Sequence, residues 1–402
     1  MDVLYGVRMT GPLAPHATGL AGELARLGFT ETSARAQLGL AAHLSRWLAA
    51  AGLGTMSLTG PVAEEYLAAR RTAGYAAYRT PKALAPLLGY LRGLGVAPEA
   101  EAAAPATQAE ALLERYRRYL LAERGLREKV VRGYVDSVRR FVASHAVDDG
   151  TDLRWLTAGD VTAFLTGQSR RLAPKTAQRL ATALRSLLRF WHVEGLISGA
   201  LDRAVPTVAN RRPGLPRPLE PAQVRALLAS CDLGTAGGRR DLAMMTLLAR
   251  MGLRAGEVAG LRLDDIDWRC GEITIAGKGN RRDRLPLPAD AGEAVAVWLR
   301  QGRPPTALDR SVFIRVKAPR RGLTACGVTM AVFAAGQRAG LGAIYAHRLR
   351  HSAATAMLAE GGSLAEIGQV LRHRRPATTA AYTKVNIEAL RALARPWPGA
   401  SL

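Results

Sequence analysis

The chain has 402 residues, 48% of them hydrophobic, and a formal net charge of +23. That length suits two to four domains with sizeable buried cores. No apolar run reaches the length of a membrane span, and the opening MDVLYGVRMTG lacks a basic stretch followed by an apolar core. A membrane partner is therefore not expected, and the protein is expected in the cytoplasm. Only six of the cations are lysines, as a GC-rich genome would favour, yet acids number just 33. Codon usage would raise arginine without depleting acids, so the excess points to a polyanionic partner, above all nucleic acid.

In chain order, two loose stretches stand out: GVAPEAEAAAPATQ, about residues 95–108, and VPTVANRRPGLPRP, about 205–218. Proline removes donors and restricts its neighbours, so both read as linkers. The blocks they define are 1–104, 105–205 and, after a linker at 206–218, 219–402. The first two blocks share an order of features. Each has an amphipathic helix with an Arg-aromatic pair (Arg46-Trp47, Arg140-Phe141). Each has a Leu-Thr pair before a second helix, with the same spacing from Thr59 to Tyr66 as from Thr157 to Phe164. Each has a lysine, Lys82 or Lys175, opening a long apolar helix that ends near Gly95 or Gly195. Any two small helical bundles share some periodicity, but this common order favours a duplication. Both blocks are expected to be bundles of four or five helices. In the second, Arg132, Arg139, Arg140, Lys175 and Arg179 are placed to neutralise backbone phosphates; the plain alternative is a solvated face.

The third block is mixed. Helices are expected over 221–230, with Pro221 in the first turn, and over 239–252. ITIAGKGNRRDRLPLP reads as a β-hairpin with a Gly-Lys-Gly-Asn turn, SVFIRV as a further short strand, and the chain after 325 as helical. The expected class is mainly α with a small antiparallel β-sheet: helical domains followed by an α+β domain. Cys231, Cys270 and Cys326 form no CxxC pair, so they read as reduced apolar fillers rather than zinc ligands.

Six residues of this block carry potential chemistry: Arg254, Lys278, His347, Arg350, His373 and Tyr382. Five cationic or cation-forming side chains could converge on an anion, with a tyrosine as nucleophile beside them. No carboxylate cluster accompanies them, which implies phosphoryl transfer to tyrosine with neither metal nor cofactor. Arg254 follows a turn at Gly252 and opens a helix near Ala255, beside free backbone donors, with Glu257 three residues on to brace it. The plain alternative is a surface ion pair of little worth. Asp264, Asp265 and Asp267 read as a solvated turn before a strand. Lys278 stands at the hairpin tip between glycines, suited to delivering a proton, though an ordinary exposed lysine fits too. His347 and Arg350 are three apart on one helix, with His351 beside them. His373 ends a helix from Leu364, a turn holds Pro376, and Tyr382 follows nine residues after the histidine. A helix-turn-helix is the competing reading of that stretch.

Taken together, the Gly-Leu-Arg254-x-x-Glu257 box, Lys278 on its hairpin, His347-x-x-Arg350 with His351, and His373 nine residues before Tyr382 in TTAAYTKV resemble the tyrosine recombinase (phage integrase) family. The likeness covers about 105–395. It implies a core-binding helical domain at 105–205, a catalytic domain at 219–402, and an additional helical domain at 1–104. It implies a site-specific DNA recombinase or integrase in which Tyr382 attacks a phosphodiester and forms a 3′-phosphotyrosyl bond. Arg254 and Arg350 would hold the non-bridging oxygens, His347 would assist proton movement, His373 would donate to the phosphate, and Lys278 would protonate the leaving 5′-oxygen. Glu257 and His351 would support the site. Neither metal nor ATP is required, since the covalent bond conserves the phosphodiester's energy. The implied partners are double-stranded DNA and further copies of the chain, four on two sites, with partner recombinases left open. The amphipathic tail, with Ile387, Leu390, Leu393 and Trp397, is read as docking on a neighbouring protomer, the alternative being that it folds back on its own domain. One departure is Arg372, where the family often has glycine; Arg374 and Arg375 add further charge around His373. A type IB topoisomerase, a DNA-binding regulator and a degenerate recombinase are the competing readings. The presence of all six residues argues against the last two. The extra first block favours a mobile-element role, in integration or transposition, over chromosome-dimer resolution; the DNA site itself is not legible.

Overall fold

Hydroxyl side chains start many of the helices. Thr30, Thr59, Thr107, Thr157, Thr235, Thr324 and Ser363 each sit at an N-cap and accept a backbone N–H from the first turn. This satisfies donors that the helix itself cannot pair. The computed structural model describes residues 5–99, 107–145, 153–208, 217–277 and 282–372. Lys278, His373, Tyr382 and the tail residues Ile387, Leu390, Leu393 and Trp397 lie outside the described residues. The chain is mainly helical, with one three-stranded antiparallel sheet.

It divides into two compact units, residues 100–214 and a second made of 1–99 with 215–402. In the second unit the first segment builds helices α1 (Ala17–Arg26), α2 (Glu31–Ala50), α3 (Gly60–Thr72) and α4 (Pro81–Gly93). They close around a core of their own that includes Leu38, Leu44, Tyr66, Leu84 and Leu91. The 100–214 unit holds α5 (Gln108–Ala122), α6 (Glu128–His145), α7 (Ala158–Ser169) and α8 (Pro174–Val193), packed around Tyr116, Phe141, Leu184 and Trp191. The features that the two blocks share in sequence occupy equivalent places: Thr59 and Thr157 cap α3 and α7, while Pro81-Lys82 and Pro174-Lys175 open α4 and α8.

The remaining segment, 215–402, carries α9 (Pro221–Ala229), α10 (Ala236–Met251), α11 (Ala255–Gly260), β1 (Ile266–Asp267), β2 (Glu272–Ala276), β3 (Arg282–Pro286), α12 (Ala289–Val297), α13 (Ala325–Arg338), α14 (Ala346–Ala359) and α15 (Leu364–Val370). The sheet order is β1-β2-β3, with Ile273 opposite both Ile266 and Leu285. Ile273 and Ile275 point to the core, as alternate residues of a half-buried strand do. The hairpin expected from the sequence is present on both sides of its tip.

Three expectations are corrected. Residues 311–316 form no strand. Their pairing passes from Leu261 and Arg262 on one side to Arg321 and Gly322 on the other, leaving only isolated bridges. Val312, Phe313 and Ile314 are nonetheless all buried, and Val312 is tied down by the Trp298 indole N–H at 2.8 Å. Of the cysteines, only Cys231 is a buried filler; Cys270, in the β1–β2 turn, and Cys326, in the first turn of α13, are exposed. The aspartates at 264, 265 and 267 are not merely solvated: they pair with Arg310, Arg282 and Arg284 respectively.

α10 ends at Gly252, whose φ of +59° lies in the left-handed region that glycine enters without strain. The site depends on this turn, because a Cβ at 252 would stand 2.4 Å from Leu371 Cδ2 and 3.4 Å from Ala353 Cβ. Gly252→Ala combines the left-handed penalty with overpacking, and is expected to destabilise this domain by about 2–4 kcal/mol. A urea unfolding midpoint unchanged from wild type would disprove that account.

Candidate active site

Arg350 is the most deeply placed of the candidate residues that the structure describes. It lies on α14 with 2% of its surface exposed. Its Nη1 donates to the Gly252 carbonyl at 2.5 Å and its Nη2 to the Leu371 carbonyl. The first carbonyl belongs to the turn before α11, the second to the end of α15. A planar fork of donors suits two acceptors at fixed separation. Arg350 therefore joins the loop that carries Arg254 to the stretch that leads into His373.

Arg254 caps α11. Its own N–H donates to Glu257 Oε2 at 2.8 Å. Its Nη1 donates to Glu257 Oε1 at 2.6 Å and its Nη2 to the Arg372 carbonyl at 3.3 Å. The Arg254 side chain is 44% exposed whereas Glu257 keeps only 6%, so the acid is a brace beneath an accessible cation. Burial acts to raise the Glu257 pKa. The Arg254 N–H, the Arg372 charge and the Arg254 guanidinium outweigh it and hold the carboxyl below its usual range. Arg372 supplies the second cation, its Nη2 lying 2.6 Å from Glu257 Oε2.

His347 and His351, one turn apart on α14, place their rings 4.3 Å apart in an edge-on arrangement. Burial first, then the His347 and Arg350 charges, pushes the His351 imidazole down to about 4. His351 is thus neutral near pH 7, an uncharged neighbour to His347. Arg254, His347 and Arg350 line one open cleft, together with Thr329, Tyr345 and the apolar Leu253, Ala255 and Ala346. Thr329 and Tyr345 were not singled out in the sequence; Tyr345 directly before the helix of His347 was the available signal.

In the other unit, Arg132, Arg139 and Arg140 are exposed along α6, and Lys175 and Arg179 along the first turns of α8. The two helices come close at Arg179, whose Nη2 lies 3.4 Å from where a Cβ on Gly133 would stand. Arg139 approaches Asp136 at 4.0 Å, a pair too exposed to hold it firmly. Among the described residues no helix is long and apolar enough to cross a membrane.

Comparison with known proteins is consistent along the chain. The profile of the Phage integrase family matches residues 217–389, and that of the Phage integrase, N-terminal SAM-like domain matches 113–195. The putative integrase/recombinase y4rA of Sinorhizobium fredii is 40% identical over 399 residues, covering 97% of this chain and 95% of its own. Tyrosine recombinase XerD of Listeria monocytogenes serotype 4b is 32% identical over 281 residues, covering 68% of this chain and 94% of its own. Among solved structures, XerH site-specific recombinase in a post-cleavage complex with palindromic difH substrate shares the fold. Its TM-score is 0.58 at 19% identity, over 75% of this chain and 99% of that one.

The depressed His351 pKa has a consequence for stability. Between its ordinary value of 6.5 and about 4, the unfolded chain binds a proton that the folded chain does not. Stability contributed by neutral His351 is therefore lost as pH falls through that window. His351→Gln, which cannot titrate, is expected to flatten the fall between pH 7 and pH 5 in urea unfolding. An equal fall in both proteins would contradict the assignment.

Proposed function

This chain belongs to the phage integrase family, and on that premise we propose that it recombines double-stranded DNA at specific sites through a covalent bond to Tyr382. The Tyr382 oxygen attacks the phosphorus of a scissile phosphodiester, a 3′-phosphotyrosyl bond forms, and the bond to the 5′-oxygen breaks. Lys278 gives its proton to that leaving oxygen, and His347 assists removal of the tyrosine proton. His373 donates to a non-bridging oxygen. A 5′-hydroxyl from another strand then reverses the step. The phosphodiester's energy is kept in the tyrosyl bond, so neither ATP nor a metal ion enters the scheme.

One observation carries this reading: Arg254, at the start of α11, and His347 and Arg350, together on α14, come from two well-separated stretches of sequence and line a single cleft. Charge held in place before reaction is what a phosphate in transfer needs, since it spreads negative charge over its oxygens. Arg254 is the more exposed arginine and would meet a phosphate oxygen directly. Arg350, with both Nη groups on carbonyls, would contribute fixed positive charge at the cleft floor.

The domain roles follow. Residues 105–205 form a core-binding domain whose Arg132, Arg139, Arg140, Lys175 and Arg179 contact backbone phosphates, 206–218 a linker, and 219–402 the catalytic domain. Residues 1–104 form an additional helical domain. Four protomers on two DNA sites would complete the exchange, in the cytoplasm, with the integration or transposition of a mobile element as its task. The likeness to an integrase/recombinase along nearly the whole chain supports that role.

The test is trapping on a nicked suicide duplex carrying the candidate site from the flanks of the gene, with EDTA present. Wild type is expected to give a covalent protein–DNA band that survives SDS and is absent for Tyr382→Phe. Arg254→Ala is expected to slow its appearance by roughly 100- to 1,000-fold. A band that persists unchanged in Tyr382→Phe would sink the assignment of the nucleophile.

A further inference from the structure

We propose that Arg372 is a positioning residue for the proposed reaction. Its side chain grips Glu257 and so holds Arg254, and it sets the backbone from which the chain enters the segment bearing His373 and Tyr382. The inference rests on the functional reading above.

Three costs meet at this one residue. Its φ is +55°, a left-handed conformation that strains any residue bearing a side chain. Its Nε is buried and has no hydrogen-bond partner among the described residues. Its charge is nearly removed from water, with 8% of the side chain exposed, against a Glu257 that is equally buried. Ion pairs of this kind are poor sources of stability, because desolvation offsets most of the attraction. Folding alone would not select such a combination, and strained backbone persists only where its surroundings over-determine it.

What over-determines it is a set of contacts directed at the cleft. Nη2 holds Glu257 Oε2 at 2.6 Å, and Nη1 holds the Val370 carbonyl at 3.0 Å. The Arg372 N–H donates to the Gln369 carbonyl at 2.9 Å, and its own carbonyl accepts from Arg254 Nη2 at 3.3 Å. Glu257 is therefore clamped on both oxygens: Arg254 holds Oε1, while the Arg254 N–H and Arg372 share Oε2. Without Arg372 the carboxylate would keep only contacts from Arg254, three residues away on the same turn. The tie from Glu257 to the end of α15 would then be gone. The brace that aims the arginine argued to meet the phosphate would lose its second hold.

The experiment follows covalent-complex formation on the suicide duplex by full-length wild type, Arg372→Gly, Arg372→Lys, Arg372→Gln and Tyr382→Phe, with thermal melting of each. Glycine accepts the left-handed backbone, so Arg372→Gly removes the grip and leaves the turn able to form. The rate at saturating protein is expected to fall roughly 10- to 100-fold, the scale of a small misplacement of a reacting group. The half-saturating concentration should stay within about twofold of wild type. Arg372→Lys, which keeps a cation for Glu257, should recover part of the rate and Arg372→Gln none of it. A saturating rate for Arg372→Gly within about twofold of wild type would overturn the inference, as would a loss confined to DNA affinity. If Arg372→Gly does not fold, the decision passes to Lys against Gln: equal rates overturn the proposal. Failure of the underlying reading looks different, since wild type would then give no covalent band or Tyr382→Phe would keep one.

Discussion

The site hangs on two hydrogen bonds from one guanidinium. Arg350 donates to the carbonyls of Gly252 and Leu371, and through them draws together the end of α10, the start of α11 and the end of α15. Each carbonyl lies where a helix stops, where helical partners run out. Arg350 thus answers two unmet acceptors and places a permanent positive charge under the cleft at the same time. The arrangement favours Gly252, because its backbone is left-handed and a Cβ there would press on the Leu371 side chain. Packing, backbone geometry and electrostatics all meet at this single contact.

Above that floor the charges are organised around one buried acid. Glu257 sits between Arg254 and Arg372, and its ionised state keeps two cations close together that would otherwise repel. The neutral His351 beside His347 works in the same direction, since an imidazolium there would add to an already crowded field. A strongly basic chain can hold Arg254 and Arg372 this close because a carboxylate lies between them.

How much of this could be read from the sequence depends on how local each signal is. Helix starts were legible at Thr59 and Thr157, because a cap is a contact over three residues. The hairpin was legible because Ile273 and Ile275 alternate with polar neighbours and a glycine turn follows. The failed strand at 311–316 shows the limit. Its apolar residues are buried as their composition suggests, but whether they form a ladder is decided by Leu261 and Arg321, on opposite sides of it in the chain. Arg254, His347 and Arg350 could be picked out by order and residue type, yet their shared cleft required the fold. The grip of Arg372 on Glu257 joins residues 115 apart, and no local pattern announces it. Cys270 and Cys326 were misread because residue type alone favoured burial, whereas a turn and a first helical turn put them at the surface.

The chain builds separate hydrophobic cores within 9–97, 112–205 and 219–349. Each segment buries its apolar surface mostly against itself. The first of them meets the third where the Arg320 N–H donates to the Leu27 carbonyl at 2.9 Å. A gene that gains or sheds such a leading segment does not have to redesign what remains: the downstream cores keep their own partners. The architecture is therefore open to growth by accretion, with new surfaces added ahead of segments whose internal geometry stays under separate selection.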